Sequence, residues 1–209
     1  MEEFINTVDP DKFRRTNYVW NSLMLNDPWS VGYVTTLIES RQFINKEEWE
    51  AFYYEMGEVR IAELQSLPPA TIEDLNNELL IKTNRQQISQ LEPDIININT
   101  LNGRTKADFE KKGRILFDNV VSIIPDITLE ECVESVRYRV ICETWNGIII
   151  RERNTIKTLE REFPDHIFEK KDGDFDYHYA VDYEMKRASE LVCGIQVKPK
   201  SYTFNTPYL

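Results

Sequence analysis

The sequence predicts an α+β protein, with a helical N-terminal half and a C-terminal core in which a long helix packs on a mixed or antiparallel sheet. Three observations carry that expectation. Helix-start signatures recur along the front half, at Asp27-Pro28, at Asn45 with Glu48, and at Thr71, each a capping side chain ahead of helical spacing. A longer helical pattern opens at Thr128 with Glu131 and runs to Phe163. Beyond it, residues 176–200, DYHYAVDYEMKRASELVCGIQVKPK, alternate with the two-residue period of a hairpin.

The stretch to Arg15 is of mixed character and reads as a short helix or arm. Asp27 as N-cap and Pro28 at the first position lead into WSVGYVTTLIES. Asn45 and Glu48 open the long segment EEWEAFYYEMGEVRIAELQSL, on which Trp49, Phe52, Tyr53 and Met56 are spaced to pack one helical face, and Pro68-Pro69 closes it. Thr71 caps a short helix to Lys82, and the polar run from Thr83 to Gly103 reads as an irregular connection with one strand at Ile95 to Ile98. Thr105 to Ile124 is a helix with basic character at its start, ended by Pro125. The long helix follows, with Asn146-Gly147 placed to kink it. Pro164-Asp165 ends that helix, His166 to Glu169 reads as a first strand, and Lys170 to Asp174 as a turn into the hairpin.

A chain of 209 residues is one generous domain, or a core with an appended helical subdomain. No apolar run reaches the length of about 18 residues that a membrane span needs, and Met-Glu-Glu-Phe is no signal sequence. A cytoplasmic protein without a membrane partner is expected. Cys132, Cys142 and Cys193 show no CxxC spacing, and His166 and His178 lie far from them. That pattern predicts reduced thiols and no structural zinc.

The formal net charge of −11 argues against a general nucleic-acid coat. Its distribution matters, however: residues 1–101 carry net −9, residues 102–161 net +1 and residues 162–209 net −3. On this basis an acidic helical region, 1–101, precedes a core, 102–209, that opens on a basic helix. Arg104, Lys106, Lys111, Lys112 and Arg114 face only Asp108 and Glu110 in that stretch. They are the chain's best candidates for phosphate contacts, although a solvated helix face accounts for them equally.

In the hairpin, Tyr177, Tyr179, Val181, Tyr183 and Met185 share one face, and His178, Ala180, Asp182 and Glu184 the other. Lys186 to Ser189 form the turn. In the second strand Cys193, Ile195 and Val197 face one way, while Gly194, Gln196 and Lys198 face the other. One carboxylate, one amide carbonyl two positions from an ammonium, and two adjacent strands make the set that metal-dependent phosphodiester cleavage uses. Hard Mg²⁺ takes oxygen ligands and stabilises charge on a phosphate, and an ammonium can hold the attacking water. A half-exposed antiparallel sheet would show the same polar face without any chemistry.

Asp182…Gln196-Val-Lys198 resembles the core of the PD-(D/E)xK nuclease superfamily, in the variant with Gln for Glu. With Glu143-Thr-Trp-Asn-Gly147, Ala180-Val-Asp-Tyr183 and Cys193-Gly-Ile-Gln-Val-Lys-Pro-Lys-Ser-Tyr202, the chain resembles the MjaI-type restriction endonucleases over roughly residues 128–202. The resemblance implies a PD-(D/E)xK-like core and a Mg²⁺-dependent type II enzyme that hydrolyses double-stranded DNA at a short palindrome such as CTAG. It implies Asp182, Gln196, Lys198 and Glu143 as catalytic residues, with Asp182 and Gln196 on the metal and Glu152 as the second choice to Glu143. Lys200 joins the basic helix in the DNA contacts. A palindromic site implies a homodimer, and a restriction role implies a cognate DNA methyltransferase. The chain departs from the superfamily pattern in having Val181 before Asp182, Gln196 for Glu, and an end at Leu209, only a few residues past Lys198. The core is therefore expected either to be shortened at its C-terminus or to be completed from the N-terminal half. Two other functions fit the same residues: a DNA-binding or regulatory module that kept the nuclease-like sheet and lost catalysis, and an acidic helical protein-interaction module.

Overall fold

In the computed structural model, which describes residues 8–69, 93–171 and 181–197, the protein is α+β. Its contacts divide the chain into two units, one of Met1–Ile38 with Phe43–Thr144 and one of Glu39–Gln42 with Trp145–Leu209. This division follows packing, whereas a boundary at 101/102 follows charge.

In the first unit, Asp9 caps α1 (Pro10–Ser22), its carboxylate accepting the N–H groups of Asp11 and Lys12 at 2.9 and 3.0 Å. Asp9-Pro10 is the same start signal as Asp27-Pro28, and it gives a full helix where the sequence suggested a short helix or arm. Phe13, Thr16, Val19 and Trp20 form its buried stripe. Asp27 and Pro28 open α2 (Pro28–Val31), and α3 (Val34–Glu39) follows after Gly32. Gly32 has φ +79°, and a Cβ there would lie 2.3 Å from the carbonyl oxygen of Asn102. Only glycine fits both the backbone angle and the approach, so the single helix expected here is broken in two.

Asn45 caps α4 (Lys46–Leu64), whose buried positions, Trp49, Tyr53, Gly57, Arg60 and Leu64, recur at helical spacing. The packing role expected of Trp49 and Tyr53 holds: both are fully buried, the indole N–H donating to Ile141 O and the phenol to Val31 O. Gly57 lets the backbone at Arg104 and Thr105 press directly on α4, since a Cβ would meet Arg104 C at 2.4 Å.

The strand expected at Ile95 to Ile98 is instead part of a helix, α5 (Pro93–Thr100). Isoleucine favours strands only where a pleated surface receives it. Here the buried amide of Asn99 decides the conformation: its oxygen accepts from Arg60 Nε at 2.9 Å and Arg104 Nη2 at 3.3 Å, and its nitrogen donates to Trp29 O at 2.8 Å. The helix expected over 71–82 lies outside the described residues. α6 (Lys106–Val120) starts on a capping box of Thr105 and Asp108.

Residues 129–162 are helical throughout. α7 (Leu129–Arg137) begins with the expected capping box of Thr128 and Glu131. Five-residue π-helical stretches, Tyr138–Cys142 and Asn146–Ile150, flank the short α8 (Glu143–Trp145), and α9 (Arg151–Glu162) completes the run. Asn146-Gly147 therefore widens the helix without ending it.

The second unit holds a three-stranded antiparallel sheet, β1 (Ile167–Lys170), β2 (Tyr183–Arg187) and β3 (Glu190–Ile195), in the order β1-β2-β3. The hairpin pairs Tyr183 with Ile195 and Met185 with Cys193, which is the face-sharing the alternation predicts. Ala188 and Ser189 make its turn at φ 49° and 69°, the two positive angles of a tight primed turn. Tyr183 and Met185 are the strand's buried side chains, and Ile156 and Glu152 are buried on α9. The expected strand residues 177–180 lie outside the described residues.

Candidate active site

Asp182 stands one residue ahead of β2 and ties together the segments on either side of it. Its carbonyl accepts the N–H of Lys171, its own N–H donates to Ile195 O, each at 2.9 Å, and carboxylate Oδ2 accepts the N–H of Val197. A carboxylate held through one oxygen by a main-chain donor is oriented before any ligand arrives. Gln196 lies between Ile195 and Val197, both bonded to Asp182, and the side chains of Gln196 and Asp182 are half-buried. The structure thus brings Asp182 to the Gln196 segment, while Lys198 and Lys200 lie outside the described residues. A carboxylate and an amide carbonyl are donors a hard divalent ion takes. Among the described residues no three His, Cys, Asp or Glu side chains converge.

A second cluster lies in the same unit. The buried Glu152 of α9 accepts a 2.7 Å hydrogen bond from Lys170 Nζ at the end of β1, and that ammonium lies 5.8 Å from the centre of the Tyr183 ring. Burial pushes the Tyr183 phenol up to about 12, and the Glu152 carboxylate adds to the rise. On β2, Glu184 is held below the usual carboxylate range by the Lys186 ammonium of the same strand at 3.1 Å, with Lys171 at 3.3 Å. Sequence reasoning held Glu152 only as a second choice and missed Lys170. The available signal was the spacing of Glu152 four residues before buried Ile156 on α9, which puts a carboxylate on the inward face.

Glu143 belongs to the first unit, where it lines a cleft of about 410 Å³ with Asn17, Trp20, Asn21, Asn26 and Arg139. Its surroundings desolvate it, which raises its carboxyl above the ordinary value against the pull of Arg139. Arg139 is itself buried, stacked over Phe13 at 4.0 Å and Trp20 at 5.1 Å, and burial lowers it to about 10.

The basic helix divides. Arg104 and Lys112, expected at the DNA surface, are 2% and 4% exposed. Arg104 donates to the carbonyls of Asn102, Gly103, Trp29 and Asn99, and Lys112 Nζ donates to Ser30 Oγ at 2.9 Å. Lys112 lies inward because it sits three residues after Phe109 and four before Leu116, on the buried stripe of α6. Arg104 lies inward because its backbone is pressed beneath Gly57. Lys106, Lys111 and Arg114 are exposed, Lys106 lying 5.4 Å from the centre of the Tyr54 ring.

No helix among the described residues is long and apolar enough to cross a membrane. No curated protein and no solved structure matches the chain. The model of the MjaI restriction endonuclease family matches residues 16–208, nearly the whole sequence. The carboxylate-and-amide pair at the hairpin is therefore set in a chain that belongs, over almost its full length, to the MjaI restriction endonuclease family, a family of DNA-cleaving enzymes.

Proposed function

We propose that this protein is a Mg²⁺-dependent type II restriction endonuclease of PD-(D/E)xK type, hydrolysing double-stranded DNA at a short palindrome, with CTAG the sequence the family suggests. The supporting observation is the Asp182 carboxylate bonded to the N–H of Val197, the residue between Gln196 and Lys198. In this reading Asp182 and the Gln196 carbonyl hold the ion. When bound, Mg²⁺ supplies Lewis-acid stabilisation of the charge that builds on the scissile phosphate. The Lys198 ammonium orients the attacking water and offsets part of the same charge. Water forms the new P–O bond as the bond to the leaving sugar oxygen breaks. Lys106, Lys111, Arg114 and Lys200 contact the phosphate backbone. Two copies of the chain match the two-fold site, and a cognate methyltransferase protects host DNA.

Digestion of plasmid DNA in Mg²⁺ tests the reading. The parent chain is expected to give discrete fragments, and Asp182→Ala to cut at least about a hundredfold more slowly, the scale on which one electrostatic contribution to a transition state acts. Asp182→Ala should still retain duplex in Ca²⁺. Equal cutting by both chains would refute the assignment, and retention of DNA by both with no cutting by either would mark a binding module that lost catalysis.

A further inference from the structure

The walls of the cleft in the first unit specify what it can take. The one cation among its lining residues, Arg139, is buried and bonded within the protein. Arg139 donates to Ser135 O at 3.3 Å, Phe13 O at 3.2 Å, Thr16 Oγ1 at 2.8 Å and Asn17 Oδ1 at 2.7 Å, with its planar face on two aromatic rings. Its Nη2 is committed to the protein's own oxygens and not to a phosphate. A single carboxyl, Glu143, does not make a divalent-ion site, since such ions need several oxygen ligands. What remains is a set of donor and acceptor groups: the amides of Asn21 and Asn26, 3.5 Å apart, and the Glu143 carboxyl. Asn21 lies one helical turn from Asn17, whose oxygen fixes Arg139. Glu143 projects from between two π-helical stretches, an irregularity that costs helix regularity and is found mostly where a helix serves a function.

We propose that this cleft reads a nucleobase edge of the DNA substrate, with Asn21, Asn26 and Glu143 as specificity-determining residues. Amides and carboxylates are the side chains that match the paired donors and acceptors of adenine and the amino group of cytosine. The volume of about 410 Å³ exceeds that of a single base, leaving room for a base edge with part of its neighbour or with water. The inference rests on the reading of the protein as a DNA-cleaving enzyme and adds to it the place where sequence is read.

The test is selection of bound duplexes from a random-sequence library in Ca²⁺, using the full chain, Asn21→Ala and Asn26→Ala. Both asparagines are exposed, and thermal melting confirms that the variants fold. Each variant is expected to lose discrimination at one base-pair position by about tenfold to a hundredfold, the scale of one good base contact, while its affinity for unrelated duplex stays within about twofold. Glu143→Gln should change the preferred base without weakening non-specific binding. Variants that select the parent's sequence with the parent's stringency would overturn the proposal, and so would a uniform loss on every sequence. Saturable quenching of tryptophan fluorescence by adenosine or cytidine without DNA, lost in Asn21→Ala while duplex preference is unchanged, would assign the cleft to a free nucleoside instead. A parent chain that selects no sequence and retains no duplex overturns both this inference and the proposed function, whereas a parent that selects a sequence unaffected by the variants overturns this inference alone.

Discussion

Lys112 shows what a cation does when the fold takes it inside. Burial, with Arg60 nearby, lowers its ammonium to about 7 from an ordinary 10.5. Between those values the unfolded chain binds more proton at this residue than the native chain, so native stability rises with pH across that window. Urea unfolding at several pH values from 7 to 10 is expected to show the rise, and Lys112→Met to flatten it. Glu50, paired with Arg137, gives a rise of the same sign in a more acidic window, through pairing where Lys112 acts through burial. Burial pushes the Glu50 carboxyl up, but two bonds of 2.7 Å from Arg137 outweigh it and leave the group below its ordinary value. That contribution is complete above the unfolded carboxyl value of 4.5 and is lost as pH falls through the lowered native one. With side chains only 25% and 17% exposed, Arg137→Met should cost about 2 kcal/mol at pH 7, and less at pH 3, measured by denaturant titration.

Among the elements, the helix starts and the hairpin were legible because each depends on neighbours in sequence. Thr128 with Glu131 and Asn45 with Glu48 form caps from residues three apart, and the Tyr183, Met185, Cys193, Ile195 face follows from strand alternation alone. What was hidden depends on residues far apart. Helix α5 takes its conformation from Arg60 and Arg104 reaching Asn99, and nothing local announces that two arginines will be inside. Nor does the sequence reveal the π-helical stretches around Glu143, because a hydrogen bond shifted by one residue leaves no mark in hydrophobic spacing. Within the site, the link from Asp182 to the Gln196 segment was legible as strand pairing, and the Glu152–Lys170 contact was not, since it joins a helix to a strand. The two capping boxes give a graded prediction. Thr128 is exposed, whereas Thr105 is 5% exposed and its hydroxyl both donates to Asp108 Oδ2 and accepts from the Asp108 N–H. Thr128→Ala should cost about 0.5–1 kcal/mol and Thr105→Ala up to about 2 kcal/mol by urea titration.

For the whole molecule the controlling fact is charge, since a protein of net −11 must meet a polyanion. Non-specific attraction to DNA comes from the phosphates neutralised, each of which releases counterions and steepens the dependence on salt. Burial of Arg104 and Lys112 removes two cations from the surface near α6 and leaves Lys106, Lys111 and Arg114 there. With Lys200, the four phosphate contacts proposed for each chain correspond to a slope of log K against log salt of about −3.6 per bound chain, hence a loss of about 150-fold between 50 and 200 mM salt. A chain of this net charge, repelled by its own acids, is expected to hold random duplex weakly and to depend on base contacts for affinity at its site. Fluorescence anisotropy of a labelled duplex in Ca²⁺, titrated across that salt range, measures the slope. Lys106→Gln and Arg114→Gln should each make it shallower by about 0.9, with the same loss on every sequence. Lys112→Met should leave the slope unchanged, because a side chain bonded to Ser30 inside the first unit meets no phosphate. If Lys112→Met flattened the slope as much as Arg114→Gln, the inward placement of that lysine would not describe the DNA-bound protein.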